Sequence, residues 1–171
     1  MKCELKNKCY WVTGLSATGK TTLSTMLVEH LRNSGKTVIH LDGDELRQVL
    51  SENTYTREER IALGMRYSRL CKLLTSQGVD VVIAVIGLFK ELHEWNRKNI
   101  SNYVEVFIET PLIELKKRDP KELYKNFDLG KIQNIAGIDL QVDFPSKPDI
   151  HLKWSDNKTA NVMFKELMEK I

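Results

Sequence analysis

The sequence predicts an α/β fold, a three-layer α/β/α domain on a mainly parallel five-stranded sheet, and three observations predict it. Short β-rich apolar runs alternate with stretches of helical periodicity along the whole chain, the pattern that packs helices on both faces of a parallel sheet. The most apolar run, residues 79–86 (VDVVIAVI), is nearly continuous rather than alternating, as a strand buried on both faces must be. A length of 171 residues, 42% of them hydrophobic and 29% charged, suits one core, so residues 1–171 are expected to form a single domain.

The elements follow in order. Residues 9–13 read as a first buried strand, a glycine-containing turn spans 14–19, and a helix runs over 20–33 until Gly35 ends it. Residues 37–41 form a second apolar, β-rich run. Thr56 opens a long helix with Glu59 three residues on, a capping-box signature, and Ile61, Met65, Leu70, Leu73 and Leu74 recur near helical spacing. The strand at 79–86 is expected at the sheet centre. Residues 103–109 are a fourth strand, and Pro111 suits the first turn of the helix after it. Residues 118–147 carry fewer apolar runs, many Lys and Asp, and Gly130 and Gly137, which reads as a mobile lid. A fifth strand at 149–153 and an amphipathic helix at 157–170 close the chain.

Bulk properties exclude several functions. The 26 Lys and Arg against 23 Asp and Glu leave a net charge of +3, too even for the one-sided field of a nucleic-acid binder, and Trp11, Trp95 and Trp154 are dispersed. Cys3, Cys9 and Cys71 show neither a CxxC spacing nor a nearby His pair and are read as reduced packing residues. The histidines, at 30, 40, 93 and 151, offer no metal-ligand spacing. The polar N-terminus lacks the apolar stretch of a secretory signal, and the run 79–89 is too short to span a bilayer, so a cytoplasmic protein without membrane contact is expected.

The chemistry is concentrated in two acid- and phosphate-handling motifs. Gly14-Leu15-Ser16-Ala17-Thr18-Gly19-Lys20-Thr21 fits G-x-x-x-x-G-K-[ST] without a gap, between a predicted strand and a predicted helix, and makes the fold of the P-loop NTPase type. Glycines let backbone N–H groups turn inward around phosphate oxygens, and the helix N-terminus adds positive dipole. Lys20 is expected to reach the β- and γ-phosphates of ATP and the Thr21 hydroxyl to ligate Mg2+, with Thr22 beside it. Leu41-Asp42-Gly43-Asp44 follows the second strand, so its carboxylates should face the crevice at the strands' carboxyl ends. One carboxylate, Asp42, can hold Mg2+ while the other, Asp44, takes the proton of an attacking hydroxyl. The alternative is a helix N-cap by either aspartate.

These residues resemble the adenylylsulfate kinases, which phosphorylate the ribose 3′-hydroxyl of adenosine 5′-phosphosulfate. The matching pieces are WVTGLSATGKTT (11–22), LDGDELR (41–47), YTREER (55–60), FIETP (107–111), KKRDPKELYK (116–125) and GKIQNIAGID (130–139), which cover nearly the whole chain in order. The resemblance implies that Asp44 is the general base, that Asp42 organises metal or phosphate, and that Arg47 and Arg60 hold the phosphate side of a small nucleotide acceptor. It also places Lys121 in the closing lid and Arg118 near the ATP base. Its acceptor site falls on Tyr55, Leu63, Ile86, Phe89, Lys90 and Ile135. A homodimer is common among such proteins, although no self-complementary patch marks one here.

Departures from the pattern fall mainly on the acceptor side. The family has glycine at Ala17, asparagine at Leu63, and a serine-proline-aromatic-arginine run at Gly87-Leu88-Phe89-Lys90. The two phenylalanines that sandwich adenine are replaced by Tyr55 and Ile135, which removes one aromatic face. Retained ATP-side motifs beside altered acceptor motifs imply the same reaction on another acceptor, and the resemblance points to CDP-phosphoramidate, the substrate of a cytidine diphosphoramidate kinase branch. The short N-terminus, without the leader many adenylylsulfate kinases carry, leans the same way. Adenylylsulfate itself is the alternative acceptor, and a nucleotide-binding protein without catalysis is the alternative of another class.

Overall fold

A computed structural model describes residues 7–53, 56–156 and 158–171. Five parallel strands, β1 (Cys9–Thr13), β2 (Val38–Asp42), β3 (Asp80–Val85), β4 (Tyr103–Glu109) and β5 (Ile150–Lys153), pair in the order β2-β3-β1-β4-β5. The strand at 79–86 is the observed β3, fully buried but second in the sheet; the central place belongs to β1. The helices are α1 (Lys20–Asn33), α2 (Gly43–Val49), α3 (Arg57–Ser76), α4 (Lys90–Asn99), α5 (Leu112–Arg118), α6 (Leu123–Asp128) and α7 (Ala160–Met168).

Alternation along β1 sorts the core into two layers. Tyr10 and Val12 pack with Leu23, Leu27 and Leu31 of α1 and Met163 and Leu167 of α7. Cys9 and Trp11 face the other way, toward Leu63, Tyr67 and Cys71 of α3 and Leu92 of α4. Trp11 and Tyr10 are at most 1% exposed, so this central strand alone buries two of the largest side chains of the protein.

Local signals account for the element ends. The capping box at α3 is complete: the Thr56 N–H donates to Glu59 Oε2 at 2.9 Å and the Glu59 N–H to Thr56 Oγ1 at 3.2 Å. After α1 the Gly35 N–H donates to the Arg32 carbonyl and the Lys36 N–H to the Leu31 carbonyl, with Gly35 at φ +80°. Strand β2 runs to Asp42, one residue beyond the sequence expectation, because Asp42 still pairs with Ala84 of β3. The final helix begins later than expected, with Thr159 accepting from the Val162 N–H as its cap; position 157 lies outside the described residues.

The segment 118–147 is not irregular throughout. It contains α6 and buries Tyr124, Ile135, Ala136 and Leu140 against the α3 side of the sheet. Apolar residues spaced too widely to register as a run anchor it at separate points. Among the described residues, no helix is long and apolar enough to cross a membrane.

Candidate functional site

The chain reverses its direction of winding at β1, between β3 on one side and β4 on the other, and a crevice opens at the carboxyl ends of these strands. The turn 14–19 leaves β1 at this switch point and delivers the chain into α1. Gly14 passes so close to β4 that an added Cβ would stand 2.7 Å from the Ile108 carbonyl oxygen. Thr18 donates to the Leu15 carbonyl at 3.0 Å, and the Lys20 ammonium donates to the same carbonyl at 2.7 Å. Burial pushes the Lys20 ammonium down to about 8, against the opposing pull of Asp44 and Asp42. Ala17, where the family has glycine, sits at φ +65°, a left-handed conformation that costs a residue with a Cβ about 1 kcal/mol.

Asp42 answers both alternatives posed by the sequence. Its Oδ1 accepts from the Asp44 N–H at 2.9 Å and so caps α2, while its Oδ2 accepts from the Thr21 hydroxyl at 2.8 Å. A carboxylate has lone pairs enough for both. The second contact sets a hydroxyl and a carboxylate oxygen side by side next to Lys20, a donor set suited to Mg2+, which takes few protein oxygens and fills its other positions with water and phosphate. Asp44, the second residue of α2, forms an ion pair with Lys121 from the far wall.

That far wall belongs to the segment 118–147, and three of its ties to the near wall lie around the cleft. Besides Lys121 on Asp44, the Tyr124 hydroxyl donates to the Ser16 carbonyl at 3.0 Å, and Arg60 of α3 donates to the Asn134 carbonyl at 2.9 Å. The turn bearing Ile135 is held by Asp139, which accepts from the Asn134 and Ile135 N–H groups at 2.8 and 2.6 Å. Arg118 pairs with Glu114 at 2.9 Å, and its guanidinium lies 5.6 Å from the centroid of the Trp154 ring. The sequence reading set Trp154 aside as dispersed; the end of β5 brings it beside the crevice-lining Arg118.

Between the walls lies a cleft of ≈ 600 Å3, within the usual range for small-molecule sites. At one end Ser16, Ala17, Gly19, Lys20, Thr21 and Thr22 line it, with Asp42 and Asp44. At the other stand Arg47, Arg60, Leu63, Ile86, Phe89 and Ile135. The two guanidiniums are close enough that Arg47, after burial, helps push Arg60 below the ordinary arginine range, and Nε of each is buried without a hydrogen-bond partner. Two like charges left facing one cleft are arranged for an anion.

Lys90 is a correction. It does not line the cleft; its ammonium is turned to solvent, 3.6 Å from Glu94 one turn along α4. As the first residue of α4 it uses its backbone instead, donating its N–H to Asp143 at 3.1 Å. Gly14 and Thr18 shape the phosphate turn from behind rather than line the cleft, and Tyr55 lies outside the described residues. Among the lining residues the sequence reading missed are Trp11 and Tyr67, whose Nε1 and hydroxyl are buried and find no hydrogen-bond partner among the described residues. Both read as core at strand and helix spacing, and only the fold reveals the cleft beside them.

Comparison with known proteins agrees with this geometry. The chain is 40% identical over 143 residues to the cytidine diphosphoramidate kinase of Campylobacter jejuni, covering 82% of this chain and 84% of that protein. It is 34% identical over 169 residues to the adenylyl-sulfate kinase of a Picosynechococcus species, covering 98% and 95%. The structure of the Mycobacterium tuberculosis APS kinase in complex with AMPPNP and APS superposes with a TM-score of 0.87 at 29% identity, covering 96% of this chain and 97% of that one. A sequence model of the adenylylsulphate kinase family matches residues 6–153. With a phosphate turn, an acidic pair and an arginine pair meeting in one cleft, the chain belongs to the adenylylsulphate kinase family and is a nucleotide kinase.

Proposed function

We propose that the protein transfers the γ-phosphoryl group of ATP to the ribose 3′-hydroxyl of a small nucleotide and that its acceptor is CDP-phosphoramidate. The observation that carries the reading is the cleft itself, with Lys20 and the Thr21–Asp42 pair at one end, Asp44 between, and Arg47 and Arg60 at the other. The aliphatic faces of Leu63 and Ile135 and the 40% identity to a cytidine diphosphoramidate kinase support a cytidine acceptor. Adenylylsulfate is the second reading, favoured by adenylyl-sulfate kinases at 34% identity over almost the entire chain.

Asp44 accepts the proton of the acceptor hydroxyl as its oxygen bonds to the γ-phosphorus. The bond from that phosphorus to the bridging oxygen breaks, and ADP leaves with the electron pair. Lys20 balances charge on the phosphates throughout, and Thr21 and Asp42 would hold Mg2+, which when bound neutralises the phosphate oxygens. Lys121 starts on Asp44; the segment 118–147, acting as a lid, carries it to the transferring group and excludes water.

ADP release with Mg2+-ATP tests the reading against CDP-phosphoramidate, CDP and adenylylsulfate. The highest kcat/KM is expected for CDP-phosphoramidate; preference for adenylylsulfate overturns the cytidine assignment. Asp44→Asn is expected to retain ATP binding and to lower kcat by about 10²–10⁴-fold. Equal behaviour of the wild type and Asp44→Asn, binding without turnover, favours a non-catalytic protein instead.

A further inference from the structure

The face that α3 turns to the cleft is a stripe at helical spacing: Arg60, Leu63, Gly64 and Tyr67 all line it. Arg60 brings charge, Leu63 an apolar surface, and Gly64 no side chain. Tyr67 ends the stripe, 5% exposed, with a buried hydroxyl whose proton finds no acceptor among the described residues. A phenol buried in this way forfeits the bonds it would make to water, and native proteins keep such groups where something else satisfies them.

The surroundings of the hydroxyl say what that is. Arg47 acts on it most strongly among charged groups, by its charge and as a donor toward the phenol oxygen, followed by Glu52 and Asp44, so the hydroxyl stands toward the α2 wall, near both the proposed base and the arginine pair, with its own proton still to place. Burial holds the phenol above its ordinary range, so it keeps its proton at neutral pH and can donate it. The adjacent Nε atoms of Arg47 and Arg60 also lack acceptors. Three unpaired donor groups on one wall call for a ligand dense in acceptor oxygens.

We propose that Tyr67 is an acceptor-binding residue, donating its phenolic hydrogen to an oxygen of the acceptor's anionic group while Arg47 and Arg60 neutralise that group. The assignment rests on the kinase reading above for the identity of the cleft's ligand. It makes Tyr67 a specificity device: a nucleotide with no oxygen at this point leaves the phenol unpaired and is discriminated against.

Tyr67→Phe separates binding from packing, because it removes one oxygen and preserves the ring. Loss of an unsatisfied buried hydroxyl leaves the free protein's Tm unchanged or raises it. Two readouts are taken on the full chain. One is kcat/KM for each acceptor of the panel; the other is the Kd of CDP-phosphoramidate, CDP and adenylylsulfate by calorimetry on protein saturated with Mg2+-AMPPNP. The expected result is about a tenfold loss in both for the preferred acceptor, the ~1.4 kcal/mol of one hydrogen bond, with KM for ATP unchanged. Unchanged acceptor Kd and kcat/KM overturn the assignment while the kinase reading stands. A fall in Tm with ATP and acceptor affinity lost together also overturns it, making Tyr67 a packing residue. If no acceptor turns over, the kinase reading fails, and a tenfold loss of nucleotide Kd still upholds Tyr67 as a ligand contact. No binding of any of the three nucleotides to the wild type overturns both.

Discussion

At the residue scale, the chemistry hinges on the protonation of one amine. Lys20 is drawn down to about 8 chiefly by burial, and its ammonium donates to the Leu15 carbonyl. The unfolded chain holds that proton up to about 10.5, so between these values the unfolded state binds more protons and folded stability rises with pH. Nucleotide binding runs the other way. Phosphates need the ammonium, so a free protein that has lost the proton must regain it on binding. AMPPNP affinity is therefore expected to be flat below pH 8 and to weaken toward tenfold per pH unit above it. Calorimetry from pH 7 to 9.5 checks this, and Lys20→Met should bind more weakly at pH 7 and lose the alkaline fall. A wild-type profile flat to pH 9.5 would mean that the amine keeps its proton in the free cleft.

At the scale of elements, the proposed acceptor recognition rests on α3, since one helix face carries Arg60, Leu63 and Tyr67 into the cleft. Its start is secured by the Thr56–Glu59 box and by Arg57, which bridges Glu91 of α4 at 3.0 Å and Asp143 at 2.6 Å. Thr56→Ala is expected to cost about 1 kcal/mol in urea unfolding and to raise acceptor KM more than ATP KM, because the fraying turn adjoins Arg60 and not the phosphate turn. Equal effects on both substrates would show that α3 couples to the whole cleft. The strands and this capping box were legible in the sequence because each is a local pattern: five apolar runs, one Thr-x-x-Glu. The phosphate turn was legible for the same reason, with its glycines and lysine in consecutive positions. Tyr67 and Trp11 were not, since a buried aromatic looks the same facing a core or a cleft until α3 and β1 are set beside β3. Lys90 was misplaced because its neighbours Gly87 and Phe89 do line the cleft, while the start of α4 turns the next side chain outward.

At the scale of the whole molecule, the two walls of the cleft differ in how firmly they are held. The near wall is the parallel sheet with α1 and α3, whose strands β1 and β3 are buried throughout. Around the cleft the far wall, 118–147, is tied to it by Lys121–Asp44, Tyr124–Ser16 and Arg60–Asn134, while Asp143, at the far end of the segment, is held by Arg57. The first of these is an ion pair whose side chains are 55% and 62% exposed, so water screens it and it holds by about 0–1 kcal/mol. Opening it costs little, as the proposed reaction requires of a lysine that rests on the proposed base. Hydrogen exchange should therefore divide the molecule. Amides of 119–135 are expected to exchange faster than those of β1 and β3, to slow when Mg2+-AMPPNP and the acceptor are added together, and to speed up in Lys121→Ala with the strands unchanged. Raising salt from 50 to 500 mM should mimic part of the Lys121→Ala effect at 119–135, because the exposed pair is the salt-sensitive tie of that stretch and its two hydrogen bonds to carbonyls are not. Protection that rises uniformly across sheet and segment on ligand addition would argue against a separately moving lid: the far wall would then be part of the rigid domain, and Lys121 would reach the phosphoryl group by side-chain rotation alone.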